Sequence, residues 1–105
     1  MPVYVKFEKG TAKNKKWKAI FSHVIDGKMT KIKTSQFGDN RYQSYTQHKD
    51  QERRTKYRSR HKVDLTKGNY MSPGYLSYYL LWGESVALDK NINTYIKRFK
   101  LKRIY

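Results

Sequence analysis

The sequence predicts an α+β domain: a small N-terminal antiparallel sheet of three strands, built on a β-hairpin, followed by three α-helices. Three observations lead there. Apolar and polar residues alternate through the first third of the chain, and an Asp26-Gly27 dipeptide separates two of the alternating runs. In the last third, apolar residues recur at helical spacing behind clear start signals. At 105 residues there is room for one domain, spanning 1–105, and one modest core.

The strands occupy 1–37. Val3, Val5 and Phe7 alternate with Tyr4, Lys6 and Glu8, as in a strand with one buried face. Gly10 to Lys16 reads as a basic loop. Trp17, Ala19, Phe21, His23 and Ile25 then alternate with Lys18, Ile20, Ser22 and Val24. Asp26-Gly27 suits the positive φ angles of a type I′ hairpin turn. Pairing across that turn sets Val24 opposite Met29 and Phe21 opposite Ile32. The returning strand, Lys28 to about Phe37, puts Met29, Lys31, Lys33 and Ser35 on one partly wet face.

Gly38-Asp39-Asn40 is a turn cluster, and a loop with Tyr42 and Tyr45 leads to a basic helix over 50–62. Asp50 can cap the free amides of its first turn, and Glu52 sits near the positive end of the helix dipole. Arg58, Arg60 and Lys62 lie near the negative end, and Tyr57 is the only large side chain with a nonpolar body. A helix polar nearly all round is solvent-bridging or partner-bound. After a second loop, Ser72-Pro73 opens a core helix over 73–82 that carries Tyr75, Leu76, Tyr78, Tyr79, Leu80, Leu81 and Trp82, with Gly83 to stop it. Ser85 caps an amphipathic helix over 86–99, in which Leu88, Ile92, Tyr95, Ile96 and Phe99 share one face. Residues 100–105 form a basic, extended tail. The expected core is Trp17, Phe21, Ile32, Leu76, Leu80, Trp82, Ile92 and Phe99.

Charge narrows the function. The chain holds 24 Lys and Arg against 8 Asp and Glu, a formal charge of +16. The excess is general: 9 basic and 3 acidic groups in residues 1–40, 9 and 3 in 41–67, and 6 and 2 in 68–105. Solubility alone is served by a net charge of about 2–8, so this density points to an anionic partner. Self-repulsion without one lowers the stability of the compact state. Ten Tyr, four Phe and two Trp argue against a disordered basic tail. There is no cysteine, hence no disulfide or thiolate site. No apolar run reaches the roughly 20 residues of a bilayer span, and the N-terminus has no secretory pattern.

Catalytic signals are weak. The acidic residues are scattered, and Glu52, Glu84 and Asp89 are accounted for by helix starts. His48, Asp50 and His61 could converge on a metal or a phosphodiester, but loop ordering by His48 and capping by Asp50 explain them more simply. Three scattered histidines do not make a zinc site, and no phosphate-cradling glycine loop is present. No cofactor, metal or small-molecule substrate is expected. Polyanion binding is better supported, by three basic clusters. The first is Lys13, Lys15, Lys16 and Lys18. The second is Arg53, Arg54, Lys56, Arg58, Arg60 and Lys62, with Tyr57 among them as a ring that could stack on a base. The third is Lys97, Arg98, Lys100, Lys102 and Arg103. Arg and Tyr also favour protein interfaces, so an acidic protein lattice fits as well as DNA.

The pattern Phe37-Gly38, Tyr45-Thr46, His48-Lys49-Asp50, Arg53, Tyr57, Arg60-His61, Gly74-Tyr75-Leu76-Ser77, Leu80-Leu81-Trp82, Ile92 and Arg98-Phe99 resembles a family of small basic proteins of nucleocytoplasmic large and giant DNA viruses. The resemblance covers roughly residues 28–100. It implies a viral protein packaged in the particle and found in the virion, and during assembly in the host cytoplasm or viral factory; it supplies no catalytic residues. The first expectation is therefore a non-enzymatic minor capsid or core protein that binds acidic shell subunits or the genome, with Arg53, Arg54, Arg58, Arg60 and Tyr57 as its main contact surface. The second is a DNA-compacting protein without sequence specificity, and the third a metal-dependent nuclease.

Overall fold

A computed structural model describes residues 2–105. The chain is α+β. Three strands, β1 (Tyr4–Lys9), β2 (Lys15–Ile25) and β3 (Lys28–Asp39), are followed by short helices α1 (Tyr45–His48), α2 (Gln51–His61), α3 (Asp64–Lys67) and α4 (Pro73–Leu76). A π-helical turn (Ser77–Leu81) continues α4, and α5 (Leu88–Arg98) and β4 (Lys102–Ile104) complete the fold. The sheet order is β3-β2-β1-β4.

The expected tail is thus a strand, and the sheet has four strands of mixed direction. β4 pairs with β1 in parallel, Tyr4 opposite Lys102 and Lys6 opposite Ile104, and the Lys102 amide donates to the Val3 carbonyl at 2.9 Å. Lys100 makes this possible. Its φ of 55° ends α5 in a left-handed residue, and Leu101 drops into the core. Three residues rich in Lys and Arg carry too short a pattern to read as a strand.

The hairpin register matches near the turn and fails farther out. Val24 faces Met29, but a bulge in β3, opposite the Phe21–Ser22 step of β2, leaves Ile32 without a partner, so Phe21 faces Lys33. A bulge puts two residues of one strand against one of the other. Phe21 is fully buried, whereas Ile32 is 38% exposed and leaves the expected core. Its aliphatic chain marked it for burial, and nothing local in the sequence announces the extra residue.

The helices cover one face of the sheet. Val5, Ala19, Phe21 and Phe37 from that face meet Leu76, Leu80, Leu81, Ile92, Tyr95 and Leu101. Trp17, Trp82 and Phe99, expected in the core, are partly buried at its margin. The predicted helix over 73–82 exists with a wider second half: the Trp82 amide donates to the Ser77 carbonyl five residues back. Tyr78, Leu80 and Leu81 are all buried in that turn. The last helix starts at Leu88, later than expected, because the Ser85 hydroxyl accepts from the Ala87 amide before the helix begins.

Asn91 fixes the turn to α5. Its amide nitrogen donates to the Leu80 and Ser85 carbonyls at 2.8 and 2.7 Å, and its oxygen accepts from the Ser85 amide at 3.0 Å. Gly83 lies between them, where a Cβ would collide with the Tyr79 carbonyl and with Asn91. Gly38 is constrained twice over: its φ is +79°, and a Cβ would come within 2.5 Å of Leu81. No helix among the described residues is long and apolar enough to cross a membrane.

Candidate polyanion-binding cleft

The basic helix α2 begins as its sequence requires. The Asp50 carboxylate accepts from the Glu52 and Arg53 amides at 3.0 and 3.2 Å. Its inner side is then pinned by groups that looked free in the sequence. Arg54 donates to the Gly83 carbonyl at 2.6 Å, and Arg58 to the Trp82 carbonyl at 2.9 Å. The Arg58 guanidinium also lies 4.0 Å from the Tyr78 ring centroid. The π-helical turn leaves those carbonyls facing α2, so two arginines supply what the end of a helix lacks.

Tyr57 is the centre of the attachment. Trp82 stacks on one face of its ring at 4.0 Å and 5°, and His61 on the other at 4.1 Å and 23°. His48 lies against Trp82 at 5.1 Å, its ring tilted by 58°. With both ring faces covered, Tyr57 can offer a ligand only its edge. Burial, aided by Asp64, pushes its hydroxyl up to about 12. Arg54, Tyr57 and Arg58 therefore hold the helix, while Arg53, Lys56 and Arg60 stay exposed.

Those three meet the start of β2. A cleft of about 670 Å³ opens between them, with Lys15, Lys16, Arg53, Lys56 and Arg60 in its lining and Phe37, Leu81 and Trp82 as apolar floor. Two carboxylates also line it, and both are engaged. Asp39 takes a two-point contact from Arg41 at 2.8 and 3.0 Å, which holds its carboxyl at about 2. Asp64 accepts from His61 at 3.1 Å. Glu52 reaches Lys56 at 3.3 Å, a solvent-exposed pair of little strength. No ion pair among the described residues engages Lys15, Lys16, Arg53 or Arg60. Lys16 donates to Gln47 at 2.5 Å, and partial burial lowers its pKa. The cleft is a concave surface with a positive field that its own carboxylates do not cancel.

The other predicted cations lie elsewhere. Lys13 and Lys62 are exposed outside the cleft, and Lys18 reaches Glu8 at 3.5 Å. Lys97, Arg98 and Lys100 surround the end of α5, with Arg98 over the Tyr79 ring at 5.3 Å. Lys102 and Arg103 belong to β4, and Arg103 reaches Asp89 at 3.5 Å. His48, Asp50 and His61 do not converge. His48 accepts from the Asp50 amide at 2.9 Å, Asp50 caps α2, and His61 lies two stacked rings away beside Asp64. Among the described residues no cluster of His, Asp or Glu is placed to hold a metal.

Sequence reasoning missed Tyr42, which lines the cleft and is 68% exposed. An available signal was Asp39 two residues before Arg41, a spacing suited to a side-chain turn. The approach of β2 to α2 had no local signal. A family model, the family of unknown function (DUF5754), matches residues 5–61, more than half of the chain. The chain belongs to that family. The matched segment runs from β1 to the end of α2 and carries all five cleft cations together with Asp39 and Tyr42. Asp64 and the π-helical turn lie beyond it. No curated protein and no solved structure matches the chain.

Proposed function

We propose that this protein is a non-enzymatic nucleic-acid binder, a component of a large DNA virus particle that holds phosphate backbones without reading their sequence. One observation carries the reading. Five cations from two separate elements line a single cleft in which both carboxylates are already paired. Phosphate oxygens are the ligands such a surface lacks, and displaced counterions supply the driving force. The viral setting rests on the sequence resemblance given above, which takes in the α2 side of the cleft but not Lys15 and Lys16.

The test is equilibrium binding of the full chain to labelled DNA across a salt series. Log affinity is expected to fall linearly with log salt, by about 0.7–0.9 per phosphate contacted. Oligonucleotides of unrelated sequence should agree within about twofold, and joint Arg53→Gln and Arg60→Gln substitution should flatten the slope. Absence of binding at low salt would sink the proposal.

One feature favours a second reading, as a minor capsid protein attached to acidic shell subunits. The hairpin end exposes Val24, Ile25, Met29 and Ile32 among Lys28, Lys31 and Lys33. Apolar residues rimmed by charge fit a protein neighbour better than a backbone. Retention in the shell of particles emptied of genome would support it. Loss with the genome would remove it.

A further inference from the structure

The cations explain why an anion enters the cleft but do not select its kind. The aromatic residues do. Of the cleft's aromatic side chains, Phe37 is buried, Tyr57 is sandwiched between His61 and Trp82, and Trp82 is stacked on Tyr57 with His48 tilted against it. Tyr42 is the one left open: it has no aromatic or cation partner among the described residues, and it is 68% exposed at the cleft. Its position is nonetheless set. The Asp39 carboxylate accepts from the Arg41 amide at 3.0 Å while clamping the Arg41 guanidinium, and the Tyr42 amide donates to the Asp39 carbonyl at 3.3 Å. A flat apolar ring is thus presented to solvent from a closed turn, beside Lys15 and Lys16 and across from α2.

That combination suits a ligand with an accessible base and a phosphate joined by a short flexible link. A duplex keeps its bases stacked inside a convex cylinder, so it can offer phosphates to the rim but no base face to Tyr42. An acidic protein segment offers carboxylates but no nucleobase. The cavity volume also falls within the roughly 300–1,000 Å³ that encloses a compact ligand.

Building on the reading of the cleft as a nucleic-acid site, we propose that it seats single-stranded nucleic acid. The backbone passes between Lys15 and Lys16 on one side and Arg53 and Arg60 on the other, and a base stacks on Tyr42. Charge and stacking then separate by residue. Tyr42 carries affinity that salt does not remove, and the arginines carry the part that salt does remove.

The experiment is fluorescence anisotropy of the full chain with a labelled thymidine 12-mer, a duplex of equal length and heparin as a base-free polyanion, each over a salt series. The single strand is expected to bind more tightly than the duplex. Tyr42→Ala should weaken single-strand binding roughly tenfold and leave the salt slope unchanged, while Tyr42→Phe keeps the affinity because the ring face is what matters. Arg53→Gln should lower the slope by about 0.7, the share of one phosphate on a single strand. Circular dichroism confirms that each variant folds, which the exposure of Tyr42 favours. Equal binding of strand, duplex and heparin, unaffected by Tyr42→Ala, would overturn the single-strand assignment and leave the phosphate-binding reading standing. Binding to none of the three would end both.

Discussion

At the scale of single residues, His48 shows how a side chain that suggests catalysis is used for structure. Its Nδ1 accepts from the Asp50 amide, so the neutral ring carries its proton on Nε2, which is buried without a partner. Burial lowers its pKa, and the nearby Arg53 and Lys16 lower it further against the pull of Asp50. Protonation would also take from the ring the lone pair that orders the start of α2. The sign follows from linkage. The unfolded chain binds a proton at His48 near the ordinary value of about 6.5, while the folded chain resists it. Stability is therefore full above that pH and declines as pH falls toward the lower folded value. The carboxyls of Asp39 and Glu8, both held low by their cation partners, act only in more acidic solution. Urea unfolding at pH 7 and pH 5.5 is expected to show a larger loss for the native chain than for His48→Asn, whose side-chain oxygen can replace Nδ1. Parallel losses in the two proteins would refute this role.

At the scale of elements, α2 is a polar helix made stable by its mounting. It has no buried residue, and an isolated helix of its length is marginal in water. What holds it is the ring stack through Tyr57 together with the Arg54 and Arg58 bonds to the Gly83 and Trp82 carbonyls. Tyr57→Ala is expected to destabilise the fold by about 2–3 kcal/mol, less than the 3–5 of a fully buried aromatic, and to strip hydrogen-exchange protection first from α2. Tyr57→Phe should cost about 1 kcal/mol or less, since the stacking survives and only the hydroxyl is removed. An alanine variant within about 0.5 kcal/mol of the native chain, the range of an ordinary surface change, would show that the stack does not secure the helix. The cap, the dipole pattern and the approximate ends of α2 were legible because they depend on near neighbours in sequence. Which arginines point inward was not, because that depends on carbonyls 24 to 29 residues away. Ile32 and β4 escaped because pairing depends on the partner strand: a bulge arises against β2 across the hairpin, and the parallel pairing of β4 needs β1 from the other end of the chain. Tyr42 escaped because an exposed aromatic in a loop has no periodicity to mark it.

At the scale of the whole molecule, the dominant fact is +16 on a body with a Cα radius of gyration of 13.8 Å. That excess is already net of all eight carboxylates, so the six ion pairs found among the described residues leave it whole. Four of them have side chains exposed by about a third or more on both sides, where each is worth little. Two effects of salt then compete. Screening removes the small attraction of those pairs, and it also removes the repulsion of many unpaired cations. At 0.01 M salt the Debye length is about 30 Å, so each charge feels almost every other across the molecule. At 1 M it is about 3 Å, and only groups in contact interact. Repulsion is the larger sum, because it runs over all pairs of free cations while attraction runs over a few neighbours. Thermal unfolding followed by circular dichroism is therefore expected to show Tm rising as sodium chloride goes from 0.01 to 0.5 M, by several degrees for each 1 kcal/mol relieved. Sodium chloride should do this without any specific ligand, and an anion that fills the cleft should add to it by binding the folded state alone. A Tm that falls with added salt would mean that the ion pairs outweigh the excess charge, and the physical case for a polyanionic partner would lose its foundation.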